Sequence, residues 1–139
     1  MKIFVFAFFS VFFLSVSPQS QAGELDRVVA SLCDYAKTNN RSSMRKKLKQ
    51  AKLKLRRVYG GITCGAVDGF TGGSLLRVST YFGAFDAAKF FTSKIGKKGV
   101  NSSEADGKSI LTWTESLVNS GSSKVTNLKD FIDLYKSKS

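Results

Sequence analysis

Residues 72–83 read GGSLLRVSTYFG, a short apolar segment held between two glycine turns. After Ser74, the apolar residues Leu75, Leu76, Val78 and Phe82 form the set that indicates a helix. Gly83 ends this segment, and residues 85–94 carry a second helical set of apolar residues before a predicted loop at 95–99. The stretch therefore predicts a pair of helices joined by a tight turn.

The same pairing extends to both sides of this stretch. Towards the N-terminus, a helix is predicted from Glu24 to a turn at residues 38–40, and residues 42–43 cap a second helix. Towards the C-terminus, a third pair begins at Ser109, and residues 126–127 offer the cap of its second helix. Sustained alternation of apolar and polar residues is missing from the sequence, so the pattern predicts an all-α protein.

The frame of residues 72–83 resembles an ankyrin repeat. Paired phenylalanines at 90–91 stand where that repeat has paired leucines, and Val-Asn at 100–101 matches its closing turn. The frame restarts after 35 positions, from Ser74 to Ser109, and the ankyrin period is about 33. The resemblance implies an all-α, ankyrin-like stack of about three helix–turn–helix units. A plain bundle of six short helices is the alternative.

The ankyrin resemblance also implies a contact face. Ankyrin-like units bind through their loops and first helices, which would bring Arg77, Tyr81 and the glycine-rich segment 65–73 near a partner. Arg77 stands where the repeat usually has histidine.

The composition excludes several kinds of chemistry. The 139 residues include no histidine and two cysteines, with 22 Lys and Arg against 10 Asp and Glu, for a net charge of +12. Without histidine, the usual Ser-His-Asp and Cys-His arrangements cannot form. Two cysteines alone cannot complete a zinc site. We therefore predict no catalytic residue, no metal and no cofactor, and a protein that is not an enzyme.

The first 22 residues have the pattern of a secretory signal. Lys2 is followed by an apolar or small run over residues 3–16, and Ser20-Gln21-Ala22 places small residues before a cut after Ala22. The run is shorter than the roughly 20 residues that a spanning helix needs. We expect a signal peptide at 1–22 and one domain at 23–139, exported to the periplasm or secreted.

Export gives the two cysteines a structural meaning. Cys33 and Cys64 are the only pair, and an oxidising compartment permits a disulfide between them. Such a bond would contribute about 3–4 kcal/mol through chain entropy. A redox-active pair is the alternative, although such pairs usually have a C-x-x-C spacing.

The chain after the signal is also similar to a family of short exported bacterial proteins of unknown function. The shared pattern comprises Leu32-Cys33, the basic segment 44–48, the segment 58–64 that ends in Cys64, and a helix start at residues 74–76. This resemblance supports both export and the disulfide, and implies no activity.

The strongest chemical feature is a cluster of nine cations without an acid, which we call the basic block. It consists of Arg41, Arg45, Lys46, Lys47, Lys49, Lys52, Lys54, Arg56 and Arg57. Such a surface attracts anionic envelope components, acidic proteins or a membrane surface. Nucleic acid would also be attracted, but an exported protein seldom meets it, and we do not expect it as the partner. A solvated face that only keeps the protein soluble is the alternative.

Two functions follow from these features. The first is an exported binding or scaffold protein that engages a protein or an anionic envelope component through the basic block and the repeat surface. The second is a small secreted enzyme or inhibitor whose site lies in the glycine-rich segment 65–73.

Overall fold

The computed structural model describes residues 21–123 and 125–139. This part of the chain forms seven α-helices and one 3-10 turn at Tyr59–Gly61. The helices are α1 (Gln21–Lys37), α2 (Arg41–Gln50), α3 (Leu55–Val58), α4 (Leu75–Tyr81), α5 (Phe85–Asn101), α6 (Ile110–Ser120) and α7 (Leu128–Lys138). The all-α prediction is confirmed. Of the predicted signal peptide, residues 1–20 lie outside the described residues.

The helices pack as three consecutive pairs, α1 with α2, α4 with α5, and α6 with α7. The first helices of the pairs also touch one another, α1 against α4 and α4 against α6. The second helices do the same, α2 against α5 and α5 against α7. A continuous core lies between these helices, and its largest fully buried side chains include Leu32, Met44, Phe91, Phe131 and Tyr135.

The starts of α4 and α6 repeat in atomic detail. Ser74 Oγ accepts a hydrogen bond from the Arg77 N–H at 3.2 Å, and Ser109 Oγ accepts one from the Thr112 N–H at 3.3 Å. These serine caps satisfy amides that the first turn of a helix otherwise leaves unpaired. Both helices therefore begin where the sequence analysis placed the start of a helix pair, directly after Ser74 and after Ser109.

Three details of the helices differ from the sequence prediction. The cap of α2 is Asn40, whose Oδ1 accepts from the Ser43 N–H, rather than residues 42–43. The predicted loop at 95–99 is borne out only in part: Gly96 interrupts α5 with a φ of 70° and a ψ of −176°, and the chain then resumes a helical course to Asn101. The short helix α3 was not predicted, and it forms where Leu55 is buried in the core.

The glycine-rich segment was predicted as a plain loop, and it contains a small antiparallel hairpin. Isolated bridges join Cys64 to Gly73 and Val67 to Phe70. Phe70 is only 2% exposed and packs against the rings of Tyr81 and Phe82. The buried phenylalanine therefore anchors the tip of the hairpin to the helical core.

Candidate functional site

The basic block lies on α2, on α3 and on the turn between them. Met44 and Leu48 bury one stripe of α2 in the core. The cations Arg45, Lys46 and Lys49 on the remaining surface of α2 are exposed. The amphipathic pattern of the sequence therefore turns the positive charge of this helix towards solvent.

None of the nine cations of the basic block forms an ion pair with a residue in the described part of the chain. The carboxylates that pair in this part of the chain are taken by other cations, among them Asp68 by Lys37 and both Glu104 and Asp106 by Arg77. The positive charge of the block is thus left without internal compensation among those residues.

Helix α3 brings the basic block to the rim of a groove. Lys52 adopts a left-handed φ of 53° after α2, and the chain turns there into α3. Arg56 and Arg57 are exposed on α3 while Leu55 is buried. A Cβ atom built on Gly96 would lie 3.0 Å from Arg56 Nη2, so the guanidinium group lies directly over the kink of α5.

The groove has a volume of about 1020 Å³ and runs between the hairpin and the kinked end of α5. Its buried floor is apolar and includes Ile62, Leu76 and Ile95. Tyr59 also lines it, and the Leu76 N–H donates to the Tyr59 hydroxyl at 3.3 Å. Burial raises the pKa of Tyr59 well above its usual value, so this hydroxyl stays neutral at physiological pH.

A disulfide links Cys33 of α1 to Cys64 of the hairpin, with a Cα–Cα distance of 5.6 Å. This confirms the predicted pairing. Lys37, one turn further along α1, pairs with Asp68 and also lies 5.0 Å from the centre of the Phe82 ring. The hairpin is therefore fixed to α1 both covalently and by charge, which gives the groove one rigid wall.

The predicted partner-binding residue Arg77 lies inside the molecule and is 6% exposed. Its Nη1 and Nη2 atoms donate to both Asp106 carboxylate oxygens at 2.8 and 2.7 Å, and its Nε lies 2.5 Å from Glu104 Oε2. The Nε contact is an ion pair without hydrogen-bond geometry. Nη2 also donates to the Lys108 carbonyl, and the guanidinium lies 5.1 Å from the Trp113 ring. Arg77 thus holds α4, the loop before α6 and α6 together.

Hydrogen bonds from the Arg77 guanidinium hold the pKa of Asp106 well below its ordinary value, and the Lys108 N–H adds a further donor. The Asp106 carboxylate therefore stays charged well into the acidic range.

Tyr81, the second predicted contact residue of α4, is partly buried. Its ring lies 5.4 Å from that of Phe70 and 5.1 Å from that of Phe82. A Cβ atom on Gly69 would come within 2.9 Å of the Tyr81 hydroxyl. Tyr81 therefore packs under the tip of the hairpin, and neither it nor Arg77 extends the surface of the basic block.

Two groove residues were not identified as a site from the sequence. Lys97 and Lys98 are exposed at the rim, beyond the kink at Gly96. They belong to residues 95–99, which were predicted to form a connecting loop. The only sequence signal was a lysine pair between two glycines. It indicates a site only in the structure, where Arg56 lies beside Gly96 and the three cations share one rim.

The described residues contain no helix that is long and apolar enough to cross a membrane. In the same ranges, no three potential metal-ligating side chains come together.

The fold and this surface define a small, all-helical, disulfide-linked protein with a strongly basic face. The chain belongs to the family described as Protein of unknown function (DUF3718), whose model matches residues 32–105. That range holds both cysteines, the basic block and the hairpin. No curated protein and no solved structure matches the chain.

Proposed function

We propose that this is an exported, non-enzymatic binding protein that engages an anionic partner, a protein or an envelope component, through its basic block. The observation that carries the proposal is the absence of ion pairs to these nine cations in the described part of the chain. Crowded like charges repel one another and weaken the compact state. An anionic partner would relieve that repulsion on binding.

The disulfide supports the exported part of the proposal. Structural disulfides persist in oxidising compartments and are rare where thiols are kept reduced. Cys33 and Cys64 form such a bond at a position that fixes the hairpin to α1. The signal peptide predicted at residues 1–22 would deliver the chain to such a compartment.

We propose an ankyrin-like stack as the scaffold for this surface. Its support is the repetition over 35 positions, which carries the serine caps Ser74 and Ser109. The same spacing relates two hydroxyl contacts, from Ser79 to the Leu75 carbonyl and from Thr114 to the Ile110 carbonyl. In such a stack each unit contacts its neighbours and the assembly offers an extended face.

The hairpin favours binding over the alternative of a secreted enzyme or inhibitor. Asp68 is the sole carboxylate of residues 65–73. Lys37 pairs with that carboxylate at the molecular surface. A general acid or base needs a carboxyl group that is free to exchange protons with a substrate. Phe70 is also buried in the core, which holds in place the tip of a segment that an active-site loop would need to move.

The proposal is tested by neutralising part of the basic block. The variant changes Arg45, Lys46, Lys47 and Lys49 to Gln. A matched control changes Lys89, Lys94, Lys136 and Lys138, four exposed lysines elsewhere, to Gln. Sedimentation with isolated cell envelopes measures binding, and circular dichroism verifies folding.

We expect the block variant to lose envelope binding while remaining folded, and the control variant to keep most of it. Both variants lose the same net charge, so a difference between them reports the position of the charges and not their number. Equal binding by the block variant and the unmodified protein would mean that the block only solubilises the chain.

A further inference from the structure

We infer that the groove beside the basic block is a docking site for an extended acidic peptide segment of a partner protein. The inference deepens the proposed function and rests on it, since Arg56 belongs both to the block and to the rim of the groove. It adds a class of partner and a mode of recognition that the charge of α2 alone does not specify.

The hairpin presents a free main-chain edge to this groove. Cys64 and Gly73 exchange both of their main-chain hydrogen bonds, at 2.7 and 3.0 Å. In an extended strand, the neighbours of such a residue turn their N–H and C=O groups to the opposite side. Thr63 and Gly65 are those neighbours, both are exposed, and both line the groove.

The N–H groups of Thr63 and Gly65 make no hydrogen bond to any residue in the described ranges. The two donors lie on either side of Cys64, two positions apart, which matches the two-residue repeat of an extended peptide main chain. Peptides commonly bind this way, by adding a strand to an exposed edge. The apolar floor at Ile62, Leu76 and Ile95 would then receive alternate side chains of that peptide.

The charges at the rim select for an acidic sequence. Arg56, Lys97 and Lys98 stand along the groove without an ion pair to another described residue. The two carboxylates that line the groove, Glu104 and Asp106, are already held by Arg77. The groove therefore offers net positive charge to carboxylates on a bound chain.

The hairpin that forms this wall of the groove is ordered without a partner. The disulfide to Cys33, the Lys37–Asp68 pair and the buried Phe70 hold the hairpin at its base and at its tip. Because the edge is already ordered, little conformational entropy is lost there on binding. An anionic polysaccharide would meet the same cations, but it lacks main-chain amides at the repeat of this edge. A peptide uses both features.

The test uses a capped peptide of about ten residues that alternates Glu with Val, a length that spans an edge strand. Two further peptides have the same sequence with N-methyl groups on alternate residues, one peptide for each edge of the strand, which removes the N–H donors of that edge but keeps the charge. Fluorescence anisotropy measures all three affinities on the protein as isolated from cells.

We expect N-methylation on one edge to weaken binding by about tenfold or more, and N-methylation on the other edge to have little effect. Dextran sulfate serves as a polyanion without amides and should compete poorly at equal charge. Equal binding of all three peptides, or full competition by dextran sulfate, would overturn the inference.

Protein variants locate the site without relying on the peptide chemistry. Gly65→Pro removes one edge N–H, and Gly65→Ala keeps it at a position where a Cβ atom meets nothing within 4 Å. We expect weak binding by the Pro variant and normal binding by the Ala variant. The double variant Lys97→Gln, Lys98→Gln should weaken binding and reduce its salt dependence. Unchanged binding in this double variant would contradict the inference.

The block variant at residues 45, 46, 47 and 49 separates this inference from the proposed function, because those residues do not line the groove. If it loses envelope binding and keeps the peptide, both proposals stand. If the block variant still binds envelopes, and the unmodified protein binds the N-methylated and plain peptides equally well, both proposals fail. Envelope binding that depends on the block, with no preference among the peptides, overturns the groove alone.

Discussion

At the scale of single residues, Arg77 was predicted to contact a partner, but its burial gives its charge a structural role. An arginine on the first helix of a repeat is a reasonable contact residue when only the sequence is known. In the structure it is 6% exposed and meets Glu104, Asp106 and the Trp113 ring. Its fork of donors suits this task, since a carboxylate accepts two parallel hydrogen bonds from arginine and not from lysine.

The Arg77–Asp106 pair predicts a pH dependence of stability. The pKa of Asp106 is lowered in the folded protein from its ordinary value of 3.8. Because this pKa is lower in the folded than in the unfolded protein, the ionised carboxylate stabilises the folded state at any pH above the unfolded pKa. The stabilisation is lost as the pH falls from the unfolded pKa towards the folded pKa. Asp106→Asn should therefore reduce the free energy of unfolding by about 1 kcal/mol at neutral pH, a figure discounted for the 42% exposure of this side chain.

Urea denaturation at about pH 7 and about pH 3 measures the effect, and the gap between variant and parent should shrink at the lower pH. Asp133→Asn is the control, because its pair with Lys129 is exposed on α7 and should contribute little. A gap that widens on acidification would contradict this account of Asp106.

At the scale of elements, Asn39 joins the first helix pair to the second. It adopts a left-handed φ of 59° in the turn after α1. Its Oδ1 accepts from the Ala87 N–H at 2.9 Å, and its Nδ2 donates to Asp86 at 3.4 Å. Ala84 precedes α5 without a side-chain cap of its own. A residue from another pair therefore caps the N-terminus of α5.

We expect Asn39→Ala to destabilise the protein by about 2 kcal/mol, because it loses both the cap and the tolerance for a left-handed backbone. Asn39→Gly keeps the backbone freedom and should cost about 1 kcal/mol. Thermal or urea unfolding measures both, and hydrogen exchange at the Ala87 amide reports the cap directly. If the two variants lose the same free energy of unfolding, the left-handed backbone at position 39 is not strained by the alanine side chain, and this account of the turn is wrong.

The disulfide is the second link between elements. Replacing both Cys33 and Cys64 by Ser should lower the free energy of unfolding by about 3–4 kcal/mol in oxidising buffer. Under a strong reductant, the parent and the variant should unfold alike. A variant that stays less stable than the parent in reductant would mean that packing of the serines, and not the lost bond, explains the effect.

At the scale of the whole molecule, much of the helical plan could be predicted because it depends on local signals. Two such signals are the apolar stripe that contains Leu32 and Ala36 and the helix starts after Ser74 and Ser109, each of which depends on only a few residues of sequence. The helical course after the kink at Gly96 could not be predicted, since glycine usually ends a helix and residues 97–99 carry no apolar side chain.

The candidate site also has one part that could be predicted from the sequence and one part that could not. The basic block was visible because its cations are contiguous in the sequence. The groove was not, because its walls come from three separated segments, around Arg56, around Gly65 and around Lys97. The interior place of Arg77 was equally hidden, since its partners Glu104 and Asp106 lie 27 and 29 positions further along the chain.

The measurement that tests the central claim most directly is binding of the protein to isolated cell envelopes as the salt concentration rises. The Debye length falls from about 10 Å at 0.1 M salt to about 3 Å at 1 M, so contacts made by exposed cations weaken steeply. The account predicts binding at low salt that is lost at high salt. Binding that persists unchanged at high salt, or no binding at either concentration, would contradict it.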